Sequence, residues 1–114
     1  GHMPVAIELG LRIRAIRKSR NLSQEQLAEL CNLHPTYIGQ LERGEKNATL
    51  ETICKISNAF HMSLEKLFEG IELKESDYTN EALRIYHQII ALSTEKQQTI
   101  CSLFQTLLNF VEGH

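Results

Sequence analysis

A helix that breaks and restarts within four residues constrains this chain more than any other feature. The stretch LAELCNLHPTYIGQLERGE, Leu27 to Glu45, opens with helical periodicity, breaks at Cys31-Asn32-Leu33, resumes at Pro35 and stops at Arg43-Gly44. Asn32 stands where the sharp turn needs a left-handed residue, a conformation that Asn tolerates. Pro35 suits a first helical position, because its φ is preset and the N–H it lacks would be unpaired there anyway. The second helix has two faces. Ile38 and Leu41 form an apolar side, and Thr36, Gln40 and Arg43 form a polar one.

The remaining sequence is helical in period and shows no convincing strand. A first helix is expected over about Ala6 to Ser19, with Leu9, Ile13 and Ile16 on one stripe and Asn21 as its stop. Ser23 and Gln26 make a capping box for the second helix, which turns Leu27, Ala28 and Cys31 inward. Thr49 caps a fourth helix carrying Leu50, Ile53, Ile56 and Phe60, and Ser63 caps a short fifth one carrying Leu64, Leu67 and Phe68. Residues 69–79 are polar and acidic and read as a linker. A helix over about Asn80 to Leu92 follows, with Leu83, Tyr86, Ile89 and Ile90. Thr94 and Gln97 suggest a second capping box, and the last helix carries Ile100, Leu103, Phe104, Leu107, Leu108 and Val111 at helical spacing. The expected fold is all-α: a five-helix domain in residues 1–68, a linker over 69–79 and a two-helix hairpin in 80–114. Gly1-His2-Met3 resembles a remnant of tag removal and is set aside.

Charge divides the chain in the same place. Residues 1–66 hold nine Lys/Arg against seven Asp/Glu, a net +2, and residues 67–114 hold three against seven, a net −4. Arg12, Arg14, Arg17, Lys18 and Arg20 fall within nine residues. A basic half on an acidic tail suggests that one half meets a polyanion. The overall charge of −2 argues against indiscriminate coating of nucleic acid. Arg12, Arg14, Lys18 and Arg20 read as a solvated face rather than as specific readers. No apolar run approaches the roughly 18 to 20 residues of a membrane span, and no signal peptide is visible, so a cytoplasmic protein is expected. Cys31, Cys54 and Cys101 are odd in number and widely spaced, which supports neither a disulfide framework nor a metal site. They are expected as small core residues in a reducing compartment. His34, His61 and His87 stand in separate elements, and no phosphate loop, nucleophile motif or carboxylate pair points to an enzyme or a cofactor.

Two short helices joined by so tight a turn make a helix-turn-helix, whose second helix enters the DNA major groove while the first crosses the backbone. Such a helix must be apolar toward its own domain and polar toward bases, as Ile38 and Leu41 against Thr36, Gln40 and Arg43 are. The segments GLRIRAIRKSRNLSQEQLAEL and PTYIGQLERGEKNATLETICKIS resemble the Xre/Cro-type, phage-repressor-like regulators. The resemblance runs from about Leu9 to Phe68 and rests on the ordered set S-Q-x-x-L-A, Y-I-x-x-L-E-R-G and T-L-x-x-I-x-x-I.

The resemblance implies a role for particular residues. Gln24 matches a position whose side chain and N–H meet a phosphate at a helix N-terminus. Pro35, Thr36 and Gln40 match the base-facing side of the recognition helix, where Gln40 can pair two-pronged with adenine. Tyr37 matches a position whose hydroxyl reaches the DNA backbone, although it also suits simple packing. Arg43, Lys46 and Asn47 lie in the region that meets flanking phosphates. Arg17 and Glu42 match a partly buried ion pair between the first and third helices, which makes Glu42 structural. The sequence departs from many relatives at Pro35, where they carry a hydrogen-bonding residue, and at Asn32, which replaces the turn glycine.

One helix-turn-helix reads only a few base pairs, so two copies on half-sites about 34 Å apart are expected. Six apolar side chains on the last helix need a partner surface, since leaving them wet would forfeit on the order of 10 kcal/mol. The hairpin is therefore expected to pair with that of a second copy through Leu83, Tyr86, Ile90, Ile100, Leu103, Phe104, Leu107, Leu108 and Val111. The competing arrangement folds the last helix back on its own domain. The functional expectation is a dimeric, sequence-specific repressor of transcription bound to double-stranded DNA. The rival is a protein-interaction module whose acidic helices dock an antirepressor or a toxin.

Overall fold

Four of the helices end in the same hydrogen-bonded turn, built on a residue with positive φ. Asn21 (φ 56°), Asn32 (54°), Gly44 (71°) and His61 (53°) are those residues. In each turn two N–H groups reach back to carbonyls of the last helical turn, as Leu22 does to Arg17 at 3.1 Å and Leu33 to Ala28 at 2.8 Å. This closure satisfies carbonyls that would otherwise lack partners and reverses the chain within two residues. The computed structural model is described for residues 4–71, 88, 89 and 91–112, without the side chains of 104, 105 and 107–112.

Among the described residues no strand occurs, and the helices bounded within them are α1 (Val5–Ser19), α2 (Gln24–Cys31), α3 (Pro35–Glu42), α4 (Leu50–Ala59), α5 (Leu64–Leu67) and α6 (Thr94–Glu112). Their starts follow the capping signals. Ser23 Oγ accepts from the Gln26 N–H at 3.0 Å while Gln26 Oε1 accepts from the Ser23 N–H at 2.8 Å. Thr49 and Ser63 accept from the N–H groups of Thr52 and Lys66. His34 caps α3, its Nδ1 accepting from the Thr36 N–H at 3.1 Å.

The core joins the inward faces of all five domain helices. Ile13, Leu27, Ile38, Ile53, Ile56, Phe60 and Leu67 are essentially sealed from solvent. Each contributes about 1.5–3 kcal/mol by leaving water. α1 and α3 approach so closely that a Cβ on Gly10 would stand 2.3 Å from the Leu41 carbonyl oxygen and 2.7 Å from that of Glu42. Only glycine allows this contact, which seats the end of α3 directly on α1.

The basic segment of α1 differs from the expected solvated face. Arg12 donates through Nε to the Leu67 carbonyl at 3.3 Å and through Nη2 to that of Lys66 at 2.9 Å. Arg20 donates to the Phe60 carbonyl and lies 5.4 Å above the Phe60 ring. Both therefore clasp the carbonyl ends of other helices, where positive charge also meets the negative end of the helix dipole. Arg14 and Lys18 stay exposed.

The first turns of the C-terminal helix take the fold-back arrangement that competes with pairing between copies. The start of α6 docks on α4 and α5 of the same chain. Gln97 is buried, its Oε1 accepting from the Glu65 N–H at 3.1 Å and its Nε2 donating to the Leu92 carbonyl at 2.9 Å. Ser93 rather than Thr94 caps this helix, accepting from the Lys96 N–H. Ile89 enters the core, and Ile100, expected at a dimer interface, packs half-buried against that same core. Leu103 is 60% exposed. Cys54 and Cys101, expected as separate thiols, form a disulfide with Cα atoms 5.6 Å apart. The fold-back brings together two cysteines 47 positions apart, a proximity that sequence spacing does not reveal. Leu83, Tyr86 and Ile90 and the side chains of Phe104, Leu107, Leu108 and Val111 lie outside the described residues.

Candidate nucleic-acid interface

The recognition-helix candidate α3 is held by its apolar side. Ile38 is fully buried and Leu41 is 3% exposed, so its opposite side faces away from the domain. Thr36 and Arg43 are exposed on that opposite side, Gln40 is half-buried among them, and Pro35 is half-buried at the start of the helix. These positions recur at i, i+4 and i+7, so Thr36, Gln40 and Arg43 share one stripe. Lys46 and Asn47 follow in the exposed loop after the α3 turn.

The base of the stripe is an ion pair shared by three helices. Arg17 of α1 donates to both carboxylate oxygens of Glu42 of α3, Nε to Oε2 at 2.6 Å and Nη2 to Oε1 at 3.0 Å. Its Nη1 donates to the Leu22 carbonyl at 2.8 Å. The hydrogen bond to Glu42 holds the Arg17 guanidinium above its usual range despite the opposing effect of burial. From the start of α2, Gln24 Nε2 adds a donor to Glu42 Oε1 at 3.1 Å. The Gln24 side chain is thus engaged inside the protein, and its backbone N–H stands at the N-terminus of α2.

The other expected contacts are distributed as follows. The Tyr37 hydroxyl lies 3.3 Å from Thr52 Oγ1, which Thr49 Oγ1 also reaches at 3.1 Å, so Tyr37 ties α3 to the cap of α4. Arg43 forms a two-pronged pair with Glu45, Nε to Oε1 at 2.9 Å and Nη2 to Oε2 at 3.2 Å. That hydrogen-bonded pairing raises the Arg43 guanidinium and lowers the Glu45 carboxyl from their ordinary pKa ranges. The sequence reading marks neither Glu45 as a partner of Arg43 nor His34 as a cap. The signal for His34 is its place immediately before a helix-starting proline. For Glu45, two residues beyond Arg43, sequence offers no comparable pattern.

Among the described residues no group of His, Cys, Asp and Glu is arranged to hold a metal, and no helix is long and apolar enough to cross a membrane.

The geometry is that of a helix-turn-helix, and comparison with known proteins agrees. The helix-turn-helix family HTH_3 matches residues 13–67. Control protein C.SmaI of Serratia marcescens is 47% identical over 66 residues, which span 58% of this chain and 79% of that protein. The chain belongs to the Xre/Cro-type helix-turn-helix family. This regulator is also similar to control protein C.BamHI of Bacillus amyloliquefaciens, with 42% identity over 66 residues covering 57% of this chain and 82% of the relative. The crystal structure of the restriction-modification controller protein C.AhdI from Aeromonas hydrophila superposes with a TM-score of 0.54 at 38% identity. That match covers 55% of this chain and 96% of C.AhdI. As a member of this family the protein is a DNA-binding transcriptional regulator and not an enzyme.

Proposed function

We propose that this regulator is a dimeric repressor that reads a (pseudo)palindromic operator by laying α3 of each copy in the major groove. The observation that carries the reading is the division of α3 into a sealed side, Ile38 and Leu41, and an outward polar stripe, Thr36, Gln40 and Arg43. The major groove, about 12 Å wide, admits one helix with such side chains. Thr36 and Gln40 meet base edges, with Pro35 beside them. The Gln24 N–H, Tyr37, Arg43, Lys46 and Asn47 face the sugar-phosphate backbone, which supplies affinity and a salt dependence. Arg17 and Glu42 orient the three helices and touch no base. Likeness to the restriction-modification controller protein C.AhdI supports control of such a system, in the cytoplasm, as the biological setting.

Docking of the start of α6 on its own domain divides that helix. Its first turns serve the domain, and the stretch from Leu103 onward serves the second copy. The outward Leu103 supports this assignment, and it also supports a second reading in which a protein antirepressor docks there and competes with dimerisation. Residues 69–79 then act as the connection between the DNA-binding domain and this C-terminal unit.

Selection of bound duplexes from a random pool tests the operator, and sedimentation tests the assembly. A two-fold symmetric consensus and a species at twice 13.0 kDa are expected. An asymmetric consensus bound by a single copy would contradict the proposal.

A further inference from the structure

The Arg43 side chain folds back along α3 into a place made for it. Its Nη1 lies 3.0 Å from where a Cβ on Gly39 would stand, so the bare glycine leaves room for the guanidinium. The far edge of the fork is taken up by both carboxylate oxygens of Glu45, at 2.9 and 3.2 Å. Backbone geometry fixes Glu45 in turn. Its N–H donates to the Gln40 carbonyl at 2.9 Å, and the intervening Gly44 sits at φ 71°, with Ile7 packed where its Cβ would be. Arg43 and Glu45 nevertheless remain more than half exposed, at 57% and 52% of their side chains.

We propose that Glu45 is a positioning residue that lowers the affinity of this regulator for DNA of any sequence, by occupying the Arg43 fork that a phosphate must take. The inference rests on the reading of Arg43 as a DNA contact. Carboxylate and phosphate present the same two-pronged acceptor geometry to a guanidinium, so each excludes the other from that edge. A phosphate arriving at Arg43 exchanges one anion for another and gains less than it would from an unoccupied guanidinium. The displaced carboxylate, tethered by the α3 turn, also repels the incoming backbone. Sequence-independent binding is mostly this phosphate term, so the restraint acts on every duplex.

The experiment is a two-by-two set, Glu45→Gln, Arg43→Ala and the double variant. Each is titrated by fluorescence anisotropy against a mixed-sequence duplex at low and at physiological salt. Glu45→Gln is expected to bind about 1.5- to 5-fold tighter than the unaltered protein, the range that an exposed ion pair covers. In the Arg43→Ala background that gain should shrink, because only the longer-range repulsion remains to be removed. Arg43→Ala alone should weaken binding and lower the salt slope by about one. An equal gain from Glu45→Gln with and without Arg43, while Arg43→Ala still weakens binding, would overturn the role of Glu45 and leave Arg43 at the interface. An Arg43→Ala protein that binds unchanged at both salts would remove Arg43 from the interface and the proposal with it. Both residues are exposed, so coincident thermal melts will confirm that the variants fold.

Discussion

Arg17 and Glu42, 25 positions apart, meet in a buried two-pronged ion pair that Gln24 joins from a third helix. A buried charge that loses its partner remains desolvated with nothing to offset the cost. Glu42→Ala is therefore expected to lower stability by about 3–5 kcal/mol in urea titration. Replacing both members with apolar residues of similar size, Arg17→Met with Glu42→Leu, should recover most of that loss. A cost below about 1 kcal/mol for Glu42→Ala would mean that the pair is effectively solvated.

The α1–α3 approach supplies a second test. A methyl group on Gly10 cannot fit 2.3 Å from the Leu41 carbonyl oxygen, and backbone on both sides leaves little room to yield. Gly10→Ala should cost about 1–3 kcal/mol by overpacking and tilt α3 away from the domain. Thermal denaturation reads the first effect. A loss of operator affinity in the protein that remains folded reads the second.

The Cys54–Cys101 bond closes a loop of 47 positions between α4 and α6. On the loop-entropy scale such closure stabilises by up to about 4 kcal/mol. Alkylation of the denatured, unreduced protein should modify Cys31 alone, whereas prior reduction should expose three thiols. Reduction should also lower the unfolding midpoint. Three modified cysteines without reduction would remove the clasp.

Burial pushes the Cys31 thiol up to about 11. Its folded value lies above the ordinary 9.0, so the fold favours the neutral thiol. That contribution is complete below the unfolded value and is lost as pH rises through 9 toward 11. In the native protein iodoacetamide should label Cys31 roughly a hundredfold more slowly at pH 8 than a free thiol, from ionisation alone. The rate should rise about tenfold per pH unit in that range. Labelling as fast as a free thiol would show that the site opens.

What the sequence disclosed was local. The Ser23–Gln26 box, the caps at Thr49 and Ser63 and the left-handed Asn21 and Asn32 are written within four residues of where they act, and the five domain helices follow from them. His61 is not one of the Gly or Asn residues that usually mark a helix stop, although the α4 turn holds it at φ 53°. What the sequence withheld was long-range. Arg12 and Arg20 look like a wet basic face until α5 and α4 place carbonyl ends beside them. Gln97 reads as part of its own helix cap, yet it serves the start of α5, 32 positions away. The apolar stripe of the last helix was visible, but periodicity cannot say which neighbour covers it. On α3 the outward stripe was legible because burial of Ile38 and Leu41 dictates it, whereas the Arg43–Glu45 pairing depends on the path of the chain after Gly44.

The central claim, that the outward stripe of α3 reads base edges, is tested most directly by base-by-base discrimination. Affinity is measured for the selected duplex and for each single base-pair replacement in it, with the unaltered protein, Gln40→Ala and Lys46→Ala. Gln40→Ala is expected to abolish discrimination at one position of each half-site, worth about 1–3 kcal/mol, and to leave the others intact. Lys46→Ala should weaken every duplex alike and reduce the salt slope. If Gln40→Ala instead weakened all duplexes equally, with its discrimination profile unchanged, Gln40 would be no reader of bases and the account of α3 would be contradicted.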